Sequence, residues 1–257
     1  MRIWVAIVIL LLAGAAQTAP ADGYLTYSGV ATRRHATAFL YGERHVLRYQ
    51  GGKLVERGVL YTCRDGTPFA RKLVRYVDPF APDFLLEEVG TGLREGIRSD
   101  RAGRTVFFRG RTSDAEKSGP LPVVAGLVAD AGFDEFVRSH WQQLLSNQAL
   151  QMRFLVPSRL DDYGFQVQHL RSELYAGVRT EVFRLRLSGF WGWFLTGIDV
   201  YYGAEDHLLV HYDGLSDLRD DAGDNFQAEL TFKPADRHES DANAMEELQS
   251  AHLAACR

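Results

Sequence analysis

From Tyr24 to Arg111 the chain repeats short runs rich in Val, Leu, Phe, Tyr and Arg, each broken by turn residues. Runs of this length between turn residues are strand signals, so they constrain the fold more than any other feature. The expected strands are Tyr24 to Thr32, Ala36 to Tyr49, Leu54 to Cys63, Phe69 to Val77, Phe84 to Val89, Leu93 to Ser99 and Thr105 to Arg109. Gln50-Gly51-Gly52-Lys53, Arg64-Asp65-Gly66-Thr67 and Asp100 to Gly103 separate neighbours with the residues tight turns require. Strands joined this way pair antiparallel. A second set follows at Leu150 to Val156, Phe165 to Leu170, Arg179 to Leu187, Leu195 to Tyr202, Leu208 to Tyr212 and Phe226 to Phe232. In Val182 to Leu187, Phe183, Leu185 and Leu187 alternate with Arg184 and Arg186, which gives one dry and one wet face.

Between the two sets the period changes. Phe133, Phe136, Val137, Trp141, Leu144 and Leu145 recur at helical spacing between Asp130 and Asn147, with polar residues on the other side. One amphipathic helix is expected there, started by Asp130 or Gly132, with Asp134 and Glu135 near the positive end of its dipole. Val123 to Ala129 is expected as a short helical turn before it, and Glu239 to Ala255 as a final helix begun by Ser240 and Asp241. The fold class is therefore mainly β: a curved antiparallel sheet or half-open β-barrel, covered by one central amphipathic helix and followed by a C-terminal helix.

The chain opens with Arg2, an apolar run from Ile3 to Leu12, and Gly14, Ala15 and Ala16. That is the pattern of a secretory signal peptide, and the run is too short to span a bilayer. Cleavage is expected after Ala15, Ala16 or Ala21. The rest, 22–257, is expected as a single β-rich domain with a helical tail, periplasmic or secreted, and without a transmembrane span. The formal net charge is −4, and arginines alternate with apolar residues instead of forming a basic stripe, so no nucleic-acid partner is expected. Cys63 and Cys256 are the two cysteines. In an exported chain they are read first as one disulfide, worth up to ~5 kcal/mol on the chain-entropy estimate, and otherwise as two unpaired thiols.

No motif marks a catalytic centre. Ser216 lies in Gly214-Leu215-Ser216-Asp217-Leu218, with leucine where a hydrolase elbow has its second glycine, and Ser188 lacks the flanking glycines altogether. Adjacent acids such as Glu87-Glu88 and Asp161-Asp162 do not face each other across a substrate. His207 and His211 flank a β-like run, which sets them roughly 13 Å apart, too far to share a metal. The acidic segment Asp213 to Asn225 offers oxygen ligands in a connection between strands, as a calcium site does, but Asp, Gly and Asn also serve plain solvated turns. The expectation is no metal, no cofactor and no catalytic residue. The most informative cluster is Phe190-Trp191-Gly192-Trp193-Phe194. Neighbours on a strand face opposite sides, so these aromatics line a cavity, cover another element or face outward.

The layout of signal peptide, antiparallel strands, central covering helix and further strands resembles the periplasmic lipoprotein-carrier (LolA-like) superfamily. Leu208 to Asp220, with Asn225 to Phe232, is similar to the tail of uncharacterised exported bacterial proteins. The carrier resemblance implies a half-open barrel with a helix-plugged apolar cavity for acyl chains. The expected function is non-catalytic binding of an apolar or lipid-like ligand between sheet and helix, at Phe190, Trp191, Trp193, Phe194, Phe136 and Trp141, with arginines at the rim. The alternatives are an envelope protein-interaction or assembly module and, third, an exported hydrolase.

Overall fold

The computed structural model describes residues 20–188, 197–220 and 222–256. The expected signal peptide lies almost wholly outside them, as do Phe190, Trp191, Trp193 and Phe194. The first eight strands are β1 (Gly23–Arg33), β2 (Phe39–Gln50), β3 (Lys53–Thr62), β4 (Pro68–Arg75), β5 (Asp83–Glu88), β6 (Arg94–Asp100), β7 (Gly103–Arg109) and β8 (Lys117–Pro120). They form an antiparallel meander in which each strand pairs with its predecessor. The short strand β9 (Leu127–Val128) precedes two helices, and β10 (Leu150–Val156) to β15 (Asn225–Phe232) form a second meander. Its middle members are β11 (Asp161–Tyr175), β12 (Val178–Leu187), β13 (Ile198–Gly203) and β14 (Leu209–Arg219). Pairing of β1 with β15 joins the two meanders into one sheet whose path runs from β8 to β9. The sheet is not closed by hydrogen bonds. Instead, Leu155 of β10 packs with Val74, Phe84, Ile97 and Val106 of β4 to β7, so the two ends of the path meet through side chains.

Register fixes which face is inside. Tyr27 lies opposite His45, His45 opposite Val59, and Val59 opposite Lys72, while Val200 lies opposite Tyr212 and Tyr212 opposite Leu230. These residues share the concave face, and a slip of one residue would turn them all outward. Alternate residues such as Arg44, Arg71 and Arg184 face outward, which explains the Arg–apolar alternation of the sequence.

The three expected helical elements differ from those observed, and the strands expected over Phe165 to Leu170 and Leu208 to Tyr212 are longer, as β11 and β14. The central helix is two short ones, α1 (Gly132–Ser139) and α2 (Trp141–Leu145), interrupted at His140. There φ is −110° and ψ 17°, and the His140 ring accompanies its own N–H at the Phe136 carbonyl. The expected helical turn over Val123 to Ala129 contains β9, because Leu127 and Val128 pair in parallel with Arg153 and Phe154. The C-terminal helix, α3 (Ala242–Ser250), starts where the Asp241 carboxylate accepts from the Asn243 N–H. It is shorter than expected because β16 (His238–Ser240) pairs with β1 before it and the chain after it runs extended, with the Ala254 N–H bonded to the Pro68 carbonyl.

That extended tail ends in the Cys63–Cys256 disulfide, with Cα atoms 5.6 Å apart. Helix α3 lies on the outer face of β2 and β3, where Met245 and Leu248 bury Val46 and Leu60. Gly58 makes this seat: a Cβ there would stand 2.7 Å from a Leu248 methyl. No helix among the described residues is long and apolar enough to cross a membrane.

Candidate functional site

The two ends of the curved sheet are built differently. At one end, the plug end, lie connections 51–52, 76–82 and 204–208. Helices α1 and α2 pack here, with Phe136 and His140 against Phe80 and Trp141 stacked on His207 at 3.9 Å. Gly132 sits so close to the Phe80 carbonyl that a Cβ would stand 2.0 Å from the oxygen. Phe133, Phe136, Val137, Trp141 and Leu144 then fill the concave face against Val167, Phe183, Val200 and Tyr202. Of the sequence-expected site residues, Phe136 and Trp141 are in this cluster, 6% and 5% exposed.

Connections 63–67, 89–93 and 110–116 lie at the opposite end, the mouth, where β12 ends at Leu187 and β13 begins at Ile198. The expected aromatic cluster Phe190 to Phe194 falls outside the described residues. Around this end Phe108, Phe154, Phe165, Ile198, Tyr212 and Phe226 remain only partly buried, although all pack against core clusters. Phe154 and Phe165 are 5.6 Å apart, and Phe226 is 6.2 Å from Tyr41. The Tyr41 hydroxyl bonds the Ser216 hydroxyl at 2.6 Å, which makes Ser216 part of the core hydrogen bonding.

Charged residues lie on the concave face between the ends. Near the plug, the Arg57 guanidinium is 2.8 Å from Asp134 of α1, and Asp134 also accepts from the Tyr202 hydroxyl at 2.6 Å. Burial alone would raise this carboxyl, but Arg57, Arg138 and Tyr202 together hold it below its ordinary range. Toward the mouth, Lys72 of β4 bridges Asp130, at 2.6 Å, and Asp217 of β14. Burial works against the Lys72 ammonium, and the two carboxylates outweigh it, holding the amine well above its ordinary range. Asp130 is raised by burial and by Asp217, against the pull of Lys72. Glu95 of β6 faces the same group. Burial, with Asp217 adding to it, pushes its carboxyl up to about 8, against Arg219 and Lys72.

A buried ion pair costs desolvation and is retained when both partners are hydrogen-bonded. In Arg57–Asp134–Tyr202 each charge has a hydrogen-bonded partner, although Arg57 Nε is itself buried without one. Glu95 makes no hydrogen bond or ion pair with the described residues, and Glu88 Oε2 and Arg219 Nε are buried without partners. This polar group was not singled out from the sequence, though a signal exists: Lys72 falls in phase with Ala70 and Val74, and Glu95 with Leu93 and Ile97. Grooves of 380 and 590 Å³ also flank α3 and the tail on the outer face, but Arg71 pairs with Glu87 and Arg75 with Asp83 there. That neutralises much of their rims.

The acidic segment expected as a connection is largely strand, since β14 continues to Arg219. Asp213 pairs with Arg34 at 2.5 Å and Asp217 with Lys72. Among the described residues no group of three or more His, Cys, Asp or Glu is arranged to hold a metal. His211 bonds the Tyr175 hydroxyl at 2.9 Å, and His207 lies under Trp141.

No family model and no curated protein matches the chain. Among solved structures it is similar to a β-barrel-like protein of domain of unknown function DUF1849 from Brucella abortus. Identity is 8% and the TM-score 0.46, over 88% of this chain and 100% of that one. It is also similar to a domain from Vibrio parahaemolyticus named for outer membrane lipoprotein sorting, at 12% identity and TM-score 0.33, over 88% and 89% of the two chains.

Proposed function

We propose that the protein works outside the cytoplasm by binding an apolar or lipid-like ligand on the concave face of its sheet, without catalysing a reaction. The observation that supports this is the mouth. Six apolar or aromatic residues on the concave face, Phe108, Phe154, Phe165, Ile198, Tyr212 and Phe226, keep part of their surface uncovered. Apolar surface left uncovered on a concave face is a default place for a ligand. Phe190, Trp191, Trp193 and Phe194 would form its lip, since their connection joins β12 to β13 at this end. Phe136 and Trp141 would close its far wall. The Cys63–Cys256 bridge suits an oxidising compartment, as does the leader-like start.

The test is titration with an apolar fluorescent probe, together with organic extraction of protein purified from its own host. One bound apolar molecule per chain is expected, and Trp191→Ala with Trp193→Ala should weaken probe binding. A protein with no extractable lipid and no probe binding would overturn the proposal. A different surface favours the second reading, an envelope interaction module. Val123 is 101% exposed beside Pro120 and Pro122, with Val77 and Val124 at 53% and 41%. Cross-linking that captures one defined partner through Val123, and is lost in Val123→Asp, would support that reading.

A further inference from the structure

Strand β11 is 15 residues long, but β10 accompanies it only from Asp161 to Val167. On its other side β12 accompanies it as far as Tyr175, so among the described residues Gln168 to Tyr175 have a strand on one side alone. Past the bulge between His169 and Arg171, the Glu173 carbonyl accepts from the Thr180 hydroxyl at 3.1 Å and so faces β12. Backbone direction alternates along an antiparallel strand, which turns the N–H and C=O of Ser172 and Leu174 away from β12. Such outward groups are a template for another strand. Arg171, Ser172 and Leu174 are exposed, Leu174 at 70%, which leaves the edge accessible.

The side chains decide which strand fits. Leu170-Arg171-Ser172-Glu173-Leu174 reads alike in both directions, except that cation and anion exchange places. A twofold axis at Ser172 sets Arg171 of each copy opposite Glu173 of the other, and Leu174 opposite Leu170. Opposite charges directly across an antiparallel pair are favourable and like charges unfavourable. Edge charges keep copies apart when they repel, and these attract. Within one chain Arg171 and Glu173 already pair at 2.6 Å, so exchanging partners across the axis leaves no charge unmatched.

We propose that two copies of this chain join edge to edge through Gln168 to Tyr175 of β11, antiparallel and centred on Ser172. The contact covers Leu174 and gives the outward backbone groups of Ser172 and Leu174 partners. This half of β11 lies toward the plug end, where Thr180 of β12 meets Gly203, so both mouths stay open. The interface is isologous, as a closed dimer requires. It does not depend on the ligand-binding reading above.

The test is sedimentation velocity on the full disulfide-bonded protein over a concentration series, with Arg171→Glu and Glu173→Arg studied apart and mixed. So short an edge belongs to the weak class of interfaces, and the unaltered protein should dimerise with a dissociation constant on the order of 10 µM. Each variant alone places like charges across the axis and should dimerise at least about tenfold more weakly. Mixed, the two place opposite charges there again and should form a heterodimer within about threefold of the unaltered affinity. That recovery separates lost pairing from lost folding. An unaltered protein still monomeric at about 200 µM overturns the proposal and leaves the edge to a strand of another protein. Dimerisation that neither substitution weakens puts the contact on another surface and also overturns it. Loss in both variants with no recovery on mixing overturns the pairing of Arg171 with Glu173.

Discussion

The plug end and the mouth use one concave surface in opposite ways. Where α1 and α2 reach it, Val137 and Leu144 are fully buried, Trp141 stacks on His207, and Asp134 is held by Arg57 and Tyr202. Away from the helices, Phe108, Tyr212 and Phe226 keep part of their surface. A sheet of this curvature needs filling, and two helices of eight and five residues fill about one end. The same chain thus packs its apolar side chains closely at one end and leaves part of their surface open at the other. Stability should therefore be concentrated at the plug and binding at the mouth.

The largest break in that contrast should come from Asp134→Ala. Stranding Arg57 in the core should cost about 3–5 kcal/mol in a denaturant melt. The Cys63–Cys256 bridge, which anchors the tail beside the mouth, is expected next. Cys256→Ser should lower stability by about 2–5 kcal/mol, and a reductant should do the same to the unaltered protein and nothing further to the variant. Phe226→Ala at the mouth should cost only about 1–2 kcal/mol, since its side chain is already partly wet, yet it should weaken apolar-probe binding. An equal loss at Phe226 and Trp141 would erase the distinction between the ends.

The smallest effect sharpens the comparison through pH. Glu95 has a folded-state pKa of about 8, above its ordinary value of 4.5, so its burial is tolerated best below pH 4.5. The corresponding stability is lost as pH rises toward 8. Glu95→Gln should match the unaltered protein at acid pH and exceed it by on the order of 1 kcal/mol above pH 8, read from melts across that range. A variant whose advantage does not change with pH would show that Glu95 is already ionised in the folded protein.

Most strands were legible because turn residues punctuate them. Leu150 to Val156 matches β10 at both ends, and Phe226 to Phe232 matches β15 within one residue. What the residues alone did not reveal follows from length and from context. β9 and β16 span two and three residues, too few for any period to register. The break at His140 depends on its ring reaching the Phe136 carbonyl, a contact that helical periodicity does not encode. Phe136 and Trp141 were recognisable as members of a dry face, but only the register of β11 to β13 shows what that face meets. Lys72 and Glu95 were the quieter signal. Each replaces an apolar residue in an inward-facing series, and composition counts such residues simply as charge.

The pairing of β1 with β15 has a consequence for how the chain folds. Every other pairing within β1 to β8 joins neighbours in sequence, so the first meander can form while later residues are still being delivered. The seam is different: Gly29 must wait for Phe232, and Ala31 for Leu230. Until then β1 presents an unsatisfied edge, the type of surface on which half-made β-proteins stick to one another. The last strand of the second meander, with β16 beside Tyr24 to Thr26, therefore sets the moment at which this edge of β1 is covered.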